Sequence, residues 1–143
     1  MNAGDTGWIL VSSALVLLMT PALAFFYGGM VRVKSVLNML MMSTVTISIV
    51  TTLWILFGFS MAFGTTGHGL LGRFGFALHG LFGTGRTVLG VHGAELTIPA
   101  LVFCAFQLMF AIITPALASG AIADRAKFTA WGLWVAFWVT ICY

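Results

Sequence analysis

The run Leu96-Thr-Ile-Pro-Ala-Leu-Val-Phe-Cys-Ala-Phe-Gln-Leu-Met-Phe-Ala-Ile-Ile-Thr-Pro-Ala-Leu-Ala-Ser-Gly-Ala-Ile-Ala123 holds 28 residues and no formal charge. A helix needs about 20 mostly apolar residues to cross the hydrocarbon core of a bilayer. This segment is long enough, and it has company. Thr6 to Val31, Ser35 to Gly72 and Phe128 to Tyr143 are also free of charge. The nine charged residues are Asp5, Arg32, Lys34, Arg73, Arg86, Glu95, Asp124, Arg125 and Lys127, and nearly all lie between the apolar runs. The charged fraction is 6 % and the apolar fraction 61 %, against about 25 % charged in an ordinary soluble domain. A soluble fold could not cover such a core with polar surface. The fold class expected is all-α, a polytopic transmembrane helix bundle with about four spans.

Those spans are expected at about 8–27, 36–63, 96–122 and 128–143, with an outer Gly-rich loop at about 64–94. Gly28-Gly29 is expected to end the first. Pro99 is expected in the first turn of the third, where its missing N–H costs nothing. Glu95 would then face that helix N-terminus favourably. Arg32 and Lys34 lie in one short turn, Arg125 and Lys127 in another, and cytoplasmic loops carry the Lys/Arg excess. The N-terminus is therefore expected outside a cell (plasma) membrane, with both tight turns inside. Ala22-Leu23-Ala24 resembles a cleavage site, but no Lys or Arg precedes the apolar stretch, which is also too long for a signal peptide.

Pro21 and Pro115 sit within spans, each after a threonine whose hydroxyl is expected to help satisfy the carbonyl that proline frees. Gly58 and Ala62, Ala116 and Gly120, and Gly132 and Ala136 have the small-residue spacing of close helix contacts. Thr44, Ser48, Thr51 and Thr52 form a polar face on the second span, expected to pack against other helices. Trp131, Trp134 and Trp138 form a stripe on the fourth, expected to serve packing and anchoring, with Trp131 a candidate for the interfacial aromatic belt.

Phe103, Phe106 and Phe110 share one face of the third span, with Gln107 among them. Turned toward a pore, they would form an apolar constriction offering π-faces to a cation; turned toward lipid, they would carry no function. Gln107 favours the pore, because an amide in hydrocarbon needs a partner. His68, His79 and His92 match no metal-ligand spacing, and no span holds a histidine for a haem. Gly80-x4-Gly85-Arg86-Thr87 imitates a phosphate loop without its strand and helix. Cys104 and Cys142 read as small apolar fillers. No paired carboxylates and no nucleophile–base set are present. No enzyme, no cofactor and no metal are expected. Six scattered cations make no nucleic-acid surface.

Phe25-Phe-Tyr-Gly-Gly-Met-Val-Arg-Val-Lys-Ser-Val-Leu-Asn-Met-Leu-Met-Met-Ser43 resembles the first cytoplasmic turn of the ammonium transporter (Amt/Mep/Rh) family. Phe106-Gln-Leu-Met-Phe-Ala-Ile-Ile-Thr-Pro-Ala-Leu-Ala-Ser-Gly-Ala-Ile-Ala-Asp-Arg-Ala-Lys-Phe128 resembles that family's third span and following turn. The resemblance implies an eleven-span inverted-repeat fold of about 400 residues, assembled as a homotrimer with one pore per subunit. This chain would be the N-terminal part of it, a fragment of a longer reading frame and non-conducting alone. The implied partners are ammonium/ammonia, the lipid bilayer and a PII-type regulator. Phe106 resembles the aromatic of the outer recruiting site and Phe110 one of two gating phenylalanines. Gln107 falls between them, and Phe26 and Tyr27 resemble residues near the cytoplasmic mouth. The pore histidines have no counterpart in these residues. A small four-span scaffold that transports nothing is the alternative, and a membrane-enzyme subunit is disfavoured by spans without histidine or acid.

Overall fold

The computed structural model describes residues 2–63, 87–89 and 95–143. Four helices run back and forth. Helix α1 spans Ala3–Met30, α2 spans Val33–Phe63, α3 spans Ala100–Ile122 and α4 spans Phe128–Cys142. The first three are long and apolar enough to cross a membrane. The fourth has 15 residues, about 22 Å of rise. Strands β1 (Thr87–Leu89) and β2 (Glu95–Pro99) pair antiparallel just before α3. The chain is a multi-pass helical membrane protein.

Several expected boundaries move. Helix α1 starts at Ala3, where the Asn2 side chain accepts from the Gly4 N–H, and it continues through Gly28-Gly29 to Met30. Helix α3 begins at Ala100, because Pro99 has extended φ and ψ and caps the helix from outside it. Residues 95–99 are spent on β2, whose Thr97 holds the chain start: its carbonyl accepts from Asn2 N–H at 2.9 Å. Its hydroxyl donates to Asp5 at 2.6 Å. Glu95 is thus a strand residue. Most of the Gly-rich stretch lies outside the described residues, and so do His68, His79, His92, Arg73, Arg86 and the glycines of the phosphate-loop imitation.

Helix α2 packs against all three of the others. Its buried residues include Met42, Thr46, Val50 and Trp54, a four-residue spacing that keeps one face inward. Against it α4 presents Trp131, Val135 and Val139, also four apart and all buried. The Trp131 indole N–H donates to the Met42 carbonyl at 3.1 Å and to the Thr46 hydroxyl at 3.0 Å. The Trp54 indole N–H donates to the Cys104 carbonyl of α3 at 3.3 Å. Trp131 is therefore a core residue, 1 % exposed, and not part of an interfacial belt; Trp134 stacks on it at 5.1 Å, and Trp138 stacks on Trp134 at 5.7 Å.

Helix α1 buries only small or hydroxylated residues, Ser13, Thr20, Ala24 and Gly28. Small side chains let backbones approach where lipid provides no hydrophobic drive between helices. A Cβ on Gly28 would stand 3.6 Å from Val36 of α2. Of the polar face expected on α2, Thr51 is half-buried. Thr44, Ser48 and Thr52 are exposed, while Ser43 and Thr46 are buried. Thr44 and Thr52 turn their hydroxyls onto the carbonyls of Leu40 and Ser48, each at 2.8 Å, and need no neighbouring helix. The threonines before proline also depart from expectation. Proline at 115 frees the carbonyl four residues back, which is that of Ala111. Thr114 instead donates to Phe110 at 2.6 Å, and the buried Thr20 hydroxyl finds no partner among the described residues.

One end of the bundle is pinned between its two short turns. Arg32 Nε lies 3.4 Å from Asp124 Oδ2. Asp124 has φ of 63°, a left-handed conformation that aspartate tolerates better than most residues. The Ser35 hydroxyl holds its carboxyl below the usual range, helped by the Arg32 backbone and charge.

Two measurements test this packing. Trp131→Ala is expected to cost about 3–5 kcal/mol and Trp131→Phe about 1 kcal/mol, read from denaturant titrations in detergent. Equal costs would mean that the indole N–H, not the ring volume, carries the contact. For Asp124 the folded-state pKa is depressed, so its contribution is present above the ordinary aspartate value of about 4. It disappears as pH falls through the lower folded value. Asp124→Asn should be less stable than the parent at neutral pH, and the gap should close on acidification. A gap independent of pH would show that the charge is irrelevant.

Candidate functional site

Helix α3 divides its residues by what they touch. Ala111, Ile112, Ile113, Pro115 and Ala116 are buried in the bundle. On another side, Phe106 and Gln107 are half-buried and Phe110 is 38 % exposed. The Phe106 and Phe110 rings meet edge to face with centroids 5.0 Å apart, the arrangement aromatic quadrupoles prefer. They are one helical turn apart, so the backbone itself sets this contact. The third phenylalanine leaves the stripe. Phe103 packs against Phe63 at 5.1 Å and Phe59 at 6.5 Å on α2. The three rings expected together are thus a pair and an outlier.

At the pinned end, Phe26 is 62 % exposed and its ring lies 5.7 Å from Tyr27. Tyr27 crosses to α3. Its hydroxyl donates to the Leu117 carbonyl at 3.1 Å, and its ring covers Gly120 so closely that a Cβ there would stand 2.6 Å from Cζ. Here Ala116 and Gly120 do mark a close contact, because Ala116 is fully buried and Gly120 admits the tyrosine. A Cβ on Gly132 would stand 3.5 Å from Ile49. Gly58 meets its own helix's Trp54, and Ala62 is exposed, so among the described residues that pair does not mark a close helix contact.

The structure thus places Phe106, Gln107 and Phe110 on one stretch of α3, and Phe26 and Tyr27 at the far end of α1. Tyr27 meets α3 at Leu117 and Gly120. Sequence reasoning missed Trp54 and Trp131 as hydrogen-bond donors across helices; their lone N–H, which must be satisfied in hydrocarbon, was the available signal. It also missed Asp124, the one acid among the cations of the turns. Among the described residues no group of three or more histidine, cysteine, aspartate or glutamate side chains could hold a metal.

Comparison with known proteins fits this geometry. A model of the Ammonium Transporter Family matches residues 7–143. An ammonium transporter of Mycobacterium bovis is 54 % identical over 153 residues, covering 99 % of this chain and 32 % of the relative. Ammonium transporter Amt1 of Archaeoglobus fulgidus is 40 % identical over 143 residues, covering 100 % of this chain and 33 % of the relative. The crystal structure of Candida albicans Mep2 superposes with a TM-score of 0.79 at 26 % identity, over 99 % of this chain and 30 % of that one. The chain spans about a third of the length of the curated relatives it matches. With an apolar multi-span bundle, the same helix arrangement as a solved relative and a family match over nearly its whole length, this chain belongs to the ammonium transporter family.

Proposed function

We propose that this chain supplies part of the wall of an ammonium pathway, with Phe106, Gln107 and Phe110 lining it and Phe26 and Tyr27 near its inner mouth. The observation that carries the reading is the Phe106–Phe110 pair. It stands on a side of α3 that the described residues leave partly open, while α3 buries its other side. A cation in hydrocarbon costs several kcal/mol. Aromatic faces return part of that, about 0.5–2 kcal/mol each. A dry phenyl constriction behind them would favour the deprotonated species, so that ammonia and a proton move separately. The half-buried Gln107 amide offers a polar contact beside the rings.

The Lys/Arg content of the pinned turns supports placing that end in the cytoplasm and the N-terminus outside, in the plasma membrane. A homotrimer and a PII-type regulator are implied by family membership and belong to the longer protein. The reading involves transport alone, with no covalent step.

Tyr27 acts on α3 by position. Its ring over Gly120 fixes the height of α3 against α1, and with it the height of the phenyl pair.

Phe110→Ala in a chain extended to full family length is expected to impair or deregulate methylammonium uptake while membrane insertion is retained. Unchanged uptake would remove Phe110 from the pathway. Gly120→Ala drives a methyl into the Tyr27 ring and should cost about 1–3 kcal/mol. Tyr27→Ala should relieve most of that cost, and additive losses in the double variant would disprove the contact.

A further inference from the structure

We propose that α1, α2 and α3 together bind one buried water molecule at the depth of Pro115, held by the Thr20 hydroxyl, the Ser43 hydroxyl and the carbonyl of Ala111. Thr20 and Ser43 are each 1 % exposed, and their hydroxyls have no partner among the described residues. Elsewhere in these helices the hydroxyls of Ser13, Thr46 and Thr114 donate to the carbonyl four residues back. Thr20 and Ser43 forgo the same bond to the carbonyls of Val16 and Met39. That local remedy is one rotamer away. Two buried hydroxyls held off it point to a partner that the helices do not themselves supply.

Three contacts put the groups at one depth. Trp54 of α2 bonds the Cys104 carbonyl of α3, and these helices run antiparallel. Ser43 lies eleven residues before Trp54, and Pro115 eleven residues after Cys104. At about 1.5 Å of rise per residue, both stand equally far from that bond and on the same side of it. Helices α1 and α3 run parallel, joined by Asn2 and Thr97 at one end and by Tyr27 and Gly120 at the other. Thr20 lies seven residues before Tyr27, and Ile113 seven before Gly120. Between α1 and α2, a Cβ on Gly28 would stand 3.6 Å from Val36. Eight residues back from Gly28 comes Thr20, and eight on from Val36 comes Thr44, beside Ser43.

The third group follows from the proline. Pro115 has no N–H, so the Ala111 carbonyl, which is directed toward it along the helix, loses its usual partner. Ala111 is 0 % exposed. A water that accepts from both hydroxyls and donates to this carbonyl makes three bonds, the usual number for a buried water. The neighbouring side chains are small. Ala24 is one turn from Thr20, Ala116 is next to Pro115, and both are buried. Every group of the site is enclosed by these three helices alone, so it depends neither on the rest of a longer protein nor on the pathway proposed above.

The test is a high-resolution crystal structure of the chain extended to full family length. A water is expected within about 3 Å of Thr20 Oγ1, Ser43 Oγ and the Ala111 oxygen. A water lacking any of these contacts overturns the proposal. So does a hydroxyl turned onto its own helix's carbonyl, or the two hydroxyls bonded directly to each other. Thr20→Val and Ser43→Ala provide a second measurement, since each removes a hydroxyl with little change of shape. Replacing an orphaned hydroxyl in this way is neutral or stabilising, whereas replacing a hydrogen-bonded one is costly. Each variant should lower the folded-to-unfolded ratio about fivefold in a denaturant titration. The double variant should lose less than the product of the two, because a water released by one change leaves the other hydroxyl nothing to bind. Unchanged or raised stability in either single variant overturns the proposal, as does a double variant that loses the full product. Where a variant fails to fold, the crystal structure of the parent decides.

Discussion

In hydrocarbon, a polar group that finds no partner inside the protein has no water to turn to, and this constraint arranges most of the bundle. The hydroxyls of Ser13, Thr44, Thr46, Thr52, Thr114 and Thr140 all donate to the carbonyl four residues back. That solution is local and leaves a helix free to face anything. The two buried indoles have no such option, since an indole N–H cannot reach back along its own helix in this way. Trp131 spends its donor on α2 and Trp54 spends its donor on α3. Helix α2 thereby becomes the member through which α3 and α4 are held in register. The cost appears where the helices supply no partner: the hydroxyls of Thr20 and Ser43 are buried and unpaired among the described residues, a loss of about 1–3 kcal/mol for each hydroxyl left so.

The same constraint explains which parts of the fold were legible in the sequence. Long charge-free runs can only be spans, and α1, α2 and α3 lie where those runs fall. The pairing of turns was also visible as a charge pattern, though Asp124 as their link was not. Faces were harder to read. A threonine that satisfies itself, as Thr44 and Thr52 do, loses its value as a marker of helix contact. A tryptophan near a helix start looks like an interfacial anchor until the neighbouring helix supplies a carbonyl, as Met42 does for Trp131. The start of α3 was misplaced because apolarity does not separate Ile98 in a strand from Val102 in a helix; only the pairing of residues 95–99 with β1 does so.

For the candidate site, the sequence showed which residues carry aromatic faces but not how they divide. Phe103, Phe106 and Phe110 share a helical face by spacing alone. Which of them is used for packing depends on α2, and Phe59 and Phe63 draw Phe103 away. The pair that remains is therefore defined by subtraction: Phe106 and Phe110 are the rings for which α2 has no place.

What gives α2 that power over α3 is one extra residue. Met42, Thr46, Val50 and Trp54 follow each other at intervals of four, and an unbroken α-helix would next bring Gly58 and Ala62 to the core. Instead Trp54–Gly58 forms a π turn, with the Phe59 N–H bonded to the Trp54 carbonyl. A π turn closes five residues apart and so inserts one residue into the helical count. The inward positions after Trp54 become Phe59 and Phe63. Phe59 is 1 % exposed and contacts Trp54 at 6.0 Å, while Gly58 and Ala62, which read as a close-contact pair, are turned aside. Two small residues are exchanged for two rings on the face that meets Phe103. The shift separates Phe103, which packs on the rings of α2, from the edge-to-face pair of Phe106 and Phe110.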